Sequence, residues 1–287
     1  MTGLHSTAHS PQTPGSAPHP LERLLAEHRP LVMGILNVTP DSFADGGRFA
    51  DPAQALAHAE RMIAAGADII DIGGESSRPY PGMQPVSADE ELARLMPVLP
   101  QVVALGTPVS IDTMKAEVAA RALAAGAVVV NDVWGLQRDP EMAGVVAAHD
   151  VAVVVTHNRE HVDPALDILA DIENFFSCSL EIAWRAGIAR QRIVLDPGIG
   201  FGKTPEQSLT AIAGLGRLRA FGLPLLIGLS RKRFINAVVP SSPQERLAGS
   251  IAGALLAALD GAAIVRVHDV AETVQALRVS AAIRAAR

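Results

Sequence analysis

The sequence predicts an α/β protein of the (β/α)8 type, a TIM barrel with its active site at the C-terminal ends of the strands. Three observations carry that expectation: a short Val/Ile/Leu-rich run recurs eight times, the runs lack polar alternation, and helix start and stop signals recur between them. The runs are LVMGIL (31–36), DIIDI (68–72), PVSID (108–112), AVVVN (127–131), VAVVV (151–155), IVLD (193–196), PLLIGL (224–229) and AAIVRV (262–267). A parallel strand covered on both faces reads as such a continuous apolar run. Between the runs, Asp51-Pro52, Ser87 with Glu90, Thr204-Pro205 with Gln207 and Ser242-Pro243 with Glu245 supply caps, first-turn prolines and acids or amides at the third position. AAGAD (64–68), AAGAV (124–128) and LDGAA (259–263) place a helix-ending glycine just before the next strand. Eight such units fit a barrel. A doubly wound open sheet is the competing arrangement.

Composition bounds the rest. With 287 residues, 49% of them hydrophobic, the chain can bury a large core. Residues 1–28 are expected as a disordered N-terminal tail, because the first twenty mix Pro, Ser, Thr, His and Gly without an apolar segment. Residues 29–287 then form a single catalytic domain. The one cysteine, Cys178, excludes a disulfide framework and is expected as a small core residue in a helix, which suits a reducing cytoplasm. The net charge of −6 argues against nucleic acid or an anionic membrane as partner. No apolar run reaches the roughly 18 residues of a membrane span.

In a barrel of this type the chemistry sits where strands end. Here they end in Asn37; Asp71 followed by GGESSRP; Asp112-Thr113; Asn131-Asp132; His157-Asn158; Asp196; Ser230-Arg231-Lys232-Arg233; and Arg266-Val267-His268. Any one Asp or Asn at such a junction can be only a helix or turn cap. All eight strands delivering polar groups to one rim point instead to a binding site. No Ser-His or Cys-His pair suggests a protein nucleophile. GIGFGK (198–203) lacks the spacing of a nucleotide loop, and His157 and His268 lack a third ligand at zinc-site spacing.

NVTPDSF (37–43), GGESSRP (73–79), SIDT (110–113), ND (131–132), LDPGIGFGK (195–203), SRK (230–232) and RVHDV (266–270) together resemble the ordered signature of the dihydropteroate synthase family, over about residues 31–282. The resemblance implies condensation of 4-aminobenzoate with 6-hydroxymethyl-7,8-dihydropterin diphosphate, with Mg²⁺, in a homodimer joined through outer helices. By the same resemblance Asp112, Asn131, Asp196 and Lys232 hold the pterin. A carboxylate such as Asp196 would match the paired donors of the pterin edge, and an amide such as Asn131 can both donate and accept. Asn37, Ser77, Arg78, Arg266 and His268 are the implied diphosphate contacts, with Asn37 the one direct metal ligand. Phe43, Ser77, Arg78, Pro79, Phe201, Lys232 and Arg233 are placed around 4-aminobenzoate. Asn37, Arg78, Asp112, Lys232, Arg266 and His268 are the implied catalytic set.

Two positions depart from the family pattern: Thr156-His157-Asn158 stands where a Met-His-Met type sequence is usual, and Arg233 where serine is common. Three successive cations at the start of a helix are unfavourable without an anion, and the carboxylate of 4-aminobenzoate is the expected one. A methyltetrahydrofolate-type barrel would share Asp112, Asn131 and Asp196 but has no use for the diphosphate contacts. A pterin binder without catalysis is the remaining alternative.

Overall fold

The computed structural model describes residues 18–39, 51–75 and 86–286. Along the chain run α1 (Pro20–Leu25), β1 (Leu31–Asn37), α2 (Pro52–Ala64), β2 (Ile69–Gly73), α3 (Ala88–Leu95), α4 (Leu99–Val103), β3 (Val109–Asp112), α5 (Ala116–Ala124), β4 (Val129–Asp132) and α6 (Met142–Ala148). There follow β5 (Ala152–Thr156), α7 (Ile168–Ala186), β6 (Ile193–Asp196), α8 (Pro205–Ala213), α9 (Leu215–Leu218), β7 (Leu226–Gly228), α10 (Arg233–Val238), α11 (Leu247–Leu259), β8 (Ile264–Val267) and α12 (Val270–Ala285). All eight expected strands form, with no end moved by more than two residues.

The strands are parallel in the order β6-β5-β4-β3-β2-β1-β8-β7. A parallel bridge between Leu195 and Leu225 brings the two ends of that order together, with Leu195 N–H donating to Pro224 O at 2.9 Å. This closes a barrel and excludes the doubly wound open sheet. The continuous apolar runs have a direct cause. Outward residues such as Val32, Leu36, Ile70, Ile72, Val130 and Val153 pack under the helices. Inward residues of the lower barrel, among them Leu31, Met33, Ile69, Val129, Val154, Val194, Leu226 and Ile264, fill the interior. Gly66, Gly126 and Gly261 end their helices at φ +100°, +107° and +100°, backbone that glycine reaches without strain.

Two expectations are corrected. The tail does not extend to residue 28, because α1 is folded and Leu21 joins the inward cluster with Leu24 and Leu25 packed beside it. His19 Nε2 donates to Val128 O at 3.0 Å while its Nδ1 accepts from Leu21 N–H, and Arg192 bonds Glu22 at 2.6 Å. The segment PLERLL carries leucines at helical spacing behind a first-turn proline, and it stoppers the end of the barrel opposite the site. Residues 1–17 lie outside the described residues. Cys178 is exposed rather than core. Helix α7 buries Ile172, Phe176, Leu180 and Ala183, and a residue two positions past Phe176 is turned roughly 200° away from that stripe.

Candidate active site

Strand parity selects which rim residues face inward. Asp71, Asn131, Thr156, Asp196 and Arg266 share the parity of the inward apolar residues one step below them, and Asp112 that of inward Ser110, so the interior turns from apolar to polar partway up the barrel. Arg266 lies at the centre of this polar layer. Its Nε donates to Asp71 Oδ2 at 2.5 Å and its Nη2 to Asp112 Oδ2 at 2.6 Å. Asn131 Nδ2 also donates to Asp71 Oδ2, at 3.1 Å. Around this network Asp71 Oδ1, Asn131 Oδ1, Ser110 Oγ and Thr156 Oγ1 are buried without a hydrogen-bond partner among the described residues. Such atoms are costly to leave unpaired, so a cluster of four facing one interior marks a place prepared for a polar guest.

The electrostatics follow from burial. Desolvation, against the opposing pull of Arg266 and with the help of Asp71, raises the Asp112 carboxyl to about 7. Burial also raises Asp196, opposed by Lys232 and by the N–H of Gly198. Burial works against the Arg266 charge, but Asp71 and Asp112 outweigh it and hold the guanidinium protonated. Asp196 does cap its own turn, since Oδ1 accepts from Gly198 N–H at 2.8 Å. A carboxylate has a second oxygen, so a turn cap and a further contact are compatible in one side chain.

Lys232 N-caps α10, donates to Ile199 O, and sets Nζ 4.8 Å from the centre of the Phe201 ring. Gly228 lies beside both cations: a Cβ there would only touch them, at 3.7 Å from Lys232 Nζ and 3.9 Å from Arg266 Cβ. His268 Nδ1 and Ser230 Oγ are 2.9 Å apart, and the His268 N–H donates to the same hydroxyl at 3.2 Å. Asn37 ends β1 opposite Gly73 and is exposed at the mouth. The expected stack of three cations resolves differently. Arg231, at φ +58°, pairs with Asp269, and its N–H donates to Ser250 Oγ at 2.9 Å. Arg233 is the exposed first residue of α10. Phe43, Ser77, Arg78 and Pro79 lie outside the described residues.

Two rim residues face away from the interior. Asp132 accepts from the N–H groups of Trp134 and Leu136 at 2.9 and 2.7 Å, a turn cap whose carboxyl burial raises to about 6. His157 points between α7 and the loop after β6. Arg266 also sits deeper than a surface clamp would, its charge shared by two carboxylates. Reading strand ends alone missed Ser110, Thr156 and the partnership of Asp71 with Arg266. Asp71 carried a signal, a single carboxylate of inward parity within an otherwise apolar run. A cavity of about 580 Å³ lies beside the mouth, lined by Trp134, Arg138, Asn158, Arg159 and Phe175 among others. It lies at the β4 and β5 rims, apart from the Arg266 network.

A closed parallel barrel with a buried donor–acceptor layer at the carboxyl ends of its strands has the architecture of an enzyme with a polar ligand site there. The chain belongs to the pterin binding enzyme family, whose model matches residues 33–268. It is 48% identical over 245 residues to the dihydropteroate synthase of Bacillus subtilis, covering 85% of each chain. It is similar to the crystal structure of Clostridium difficile dihydropteroate synthase in the presence of pteroic acid, with a TM-score of 0.85 at 48% identity over 89% of this chain and 97% of that one. The Xanthomonas albilineans dihydropteroate synthase with 4-aminobenzoic acid matches with a TM-score of 0.85 at 46% identity, over 90% and 94% of the two chains.

Proposed function

We propose that the chain condenses 4-aminobenzoate with 6-hydroxymethyl-7,8-dihydropterin diphosphate, giving 7,8-dihydropteroate and diphosphate. The observation that carries this reading is the unpartnered polar layer. Asp71 Oδ1, Asn131 Oδ1, Ser110 Oγ and Thr156 Oγ1, with the raised carboxyls of Asp112 and Asp196, offer a planar 2-amino-4-oxo heterocycle the acceptors and hydroxyls it needs. A ring analogue without that edge leaves these groups unpaired, which is where selectivity arises. Arg266, Asp112, Asp196 and Lys232 would orient the ring. His268 with Ser230 would face the diphosphate, and the family resemblance assigns Arg78 to the same group.

The C–O bond to the diphosphate breaks and its electron pair leaves with the phosphate. The aniline nitrogen then bonds to the freed methylene carbon and loses a proton. The protein supplies position and charge complementarity and needs no nucleophile of its own. Among the described residues no group of three or more His, Cys, Asp or Glu could hold a metal ion. Asn37, exposed at the end of β1, would be the protein ligand of a Mg²⁺ held mainly by phosphate oxygens. When bound, the ion supplies charge to the departing diphosphate.

We extend the proposal to assembly and location. Leu256 and Leu259 of α11 and Val279 and Ile283 of α12 are exposed on two helices that pack on each other, an apolar face that supports a homodimer. The single cysteine favours a reducing compartment such as the cytoplasm. Among the described residues no helix is long and apolar enough to cross a membrane. Diphosphate release from the pterin substrate, measured with and without 4-aminobenzoate and Mg²⁺, tests the activity. Release accompanied by formation of 7,8-dihydropteroate when 4-aminobenzoate is present supports it, and pterin binding without release under any of these conditions refutes it.

A further inference from the structure

The loop after β6, PGIGFGK, is built from residues that resist order. Gly198, Gly200 and Gly202 adopt φ +63°, +84° and +55°, and glycine loses more backbone freedom on folding than any other residue. What holds the loop is Lys203. Its Nζ donates to Gly198 O at 2.8 Å and to Phe201 O at 3.1 Å, and it lies 2.6 Å from His157 Nδ1. His157 Nε2 in turn lies 2.9 Å from Asp171 Oδ2, and Arg159 Nη1 donates to Asp171 Oδ1 at 2.8 Å. The pairings assign one arrangement: a neutral imidazole that gives its Nε2–H to Asp171 and accepts at Nδ1 from the lysine. The low His157 pKa, pushed to about 3 by burial and by Lys203, agrees with the neutral form.

Lys203 and His157 are both buried. The loop also presses on the imidazole's own backbone, since a Cβ on Gly198 would lie 1.8 Å from His157 O. A line of Asp171, His157 and Lys203 therefore ties α7 and the end of β5 to the inside of the loop. The other side of the same loop faces the site, where Ile199 O accepts from Lys232 and the Phe201 ring lies under Lys232 Nζ. Three of the acceptors around Lys203 and Lys232 thus belong to one stretch of five residues. Among the described residues, none of the three side chains shows a hydrogen bond to the layer around Arg266; Lys203 acts on it through the loop and through its charge, which opposes the upward shift of Asp196.

We propose that Lys203, held by His157 and Asp171, is a positioning residue that fixes residues 198–202 so that Phe201 and Lys232 meet the aromatic amine substrate. This rests on the activity proposed above. Lys203→Met keeps the aliphatic stem and deletes all three donors. It should raise KM for 4-aminobenzoate roughly tenfold or more, the scale of a misplaced contact, and weaken pterin affinity by calorimetry several times less, because Asp112, Asn131 and Arg266 stand on other strands and only Asp196 and Lys232 among the pterin contacts touch the loop. Amide hydrogen exchange across 199–202 should quicken. Asp171→Asn, acting two bonds of the relay away on a partly exposed residue, should shift the same quantities in the same direction by less, and it carries the test if Lys203→Met does not fold. Equal losses for both substrates, or unchanged KM and exchange in both variants, would overturn the proposal. Absence of diphosphate release in the wild type would refute the activity instead, and the exchange measurement would then report on the loop independently.

Discussion

Replacing Asp112 by asparagine should stabilise the ligand-free protein above neutral pH while removing affinity for the pterin. In the folded chain the carboxyl holds its proton to about 7, against 3.8 for the free group, because burial penalises the anion more than Arg266 rewards it. A folded-state pKa above the unfolded one means that the folded protein binds the proton more tightly. The resulting stability is complete below 3.8 and is lost as pH rises toward about 7. Each pH unit inside that window changes stability by about 1.4 kcal/mol. Between pH 5 and pH 7 the wild type should therefore lose roughly 2–3 kcal/mol that the variant keeps.

Asparagine preserves the shape of the protonated acid, and its oxygen can still accept from Arg266 Nη2. The gap between the two proteins should consequently be narrow at pH 5 and wide at pH 8, which for a chain of this size is roughly 4–12 °C in Tm. Urea unfolding of both proteins at pH 5, 6, 7 and 8 measures it. A gap independent of pH, or a variant less stable at pH 8, would refute the claim that the site holds a strained carboxylate. The ligand explains why such strain is retained. Donors on a bound pterin would stabilise the anion that burial disfavours, so the energy withheld from folding reappears as affinity.

Three further outcomes are expected. Arg266→Ala leaves Asp71 and Asp112 buried without their counter-charge and should cost on the order of 3–5 kcal/mol in denaturation; Arg266→Lys should fold and lower kcat together with kcat/KM. Arg233→Ala should raise KM for 4-aminobenzoate more than twofold with pterin affinity nearly unchanged, and Arg233→Ser should be milder; a KM that does not move means the exposed side chain serves only solvent. Burial lowers the pKa of His19 from 6.5, aided by Arg192, so its contribution is present above 6.5 and is lost as pH falls through the folded value. His19→Gln should flatten that acid limb in a melt, and an unchanged limb would remove His19 from it.

The fold was legible because its signals were redundant. Eight apolar runs of strand length, each preceded by a glycine or turn and followed by a polar residue, leave few arrangements, and a shift of one or two residues at a strand end does not alter the count. The segment 20–25 was hidden for the opposite reason. A helix of six residues is too short for its leucine spacing to stand out, and Leu21, Leu24 and Leu25 have value only against the barrel interior they stopper. Cys178 failed on a related point, since a helical run says that a residue is in a helix but not which side of it faces the core.

At the site, the sequence located residues better than it partnered them. Asp112, Asn131, Asp196 and Arg266 all reach the barrel interior, because a residue's place at a strand end fixes its height and its parity fixes its face. Partners depend on strands far apart in the chain: Arg266 meets Asp71 and Asp112 across separations of 195 and 154 residues, and no local pattern encodes such pairs. The same limit explains His157. By position it belongs to the rim with Asn158, but it stands one residue after inward-facing Thr156, and one residue of strand turns a side chain to the opposite face. That single step moves the imidazole from the substrate side to the helix side. There it meets Lys203 and Asp171 and supports the loop after β6.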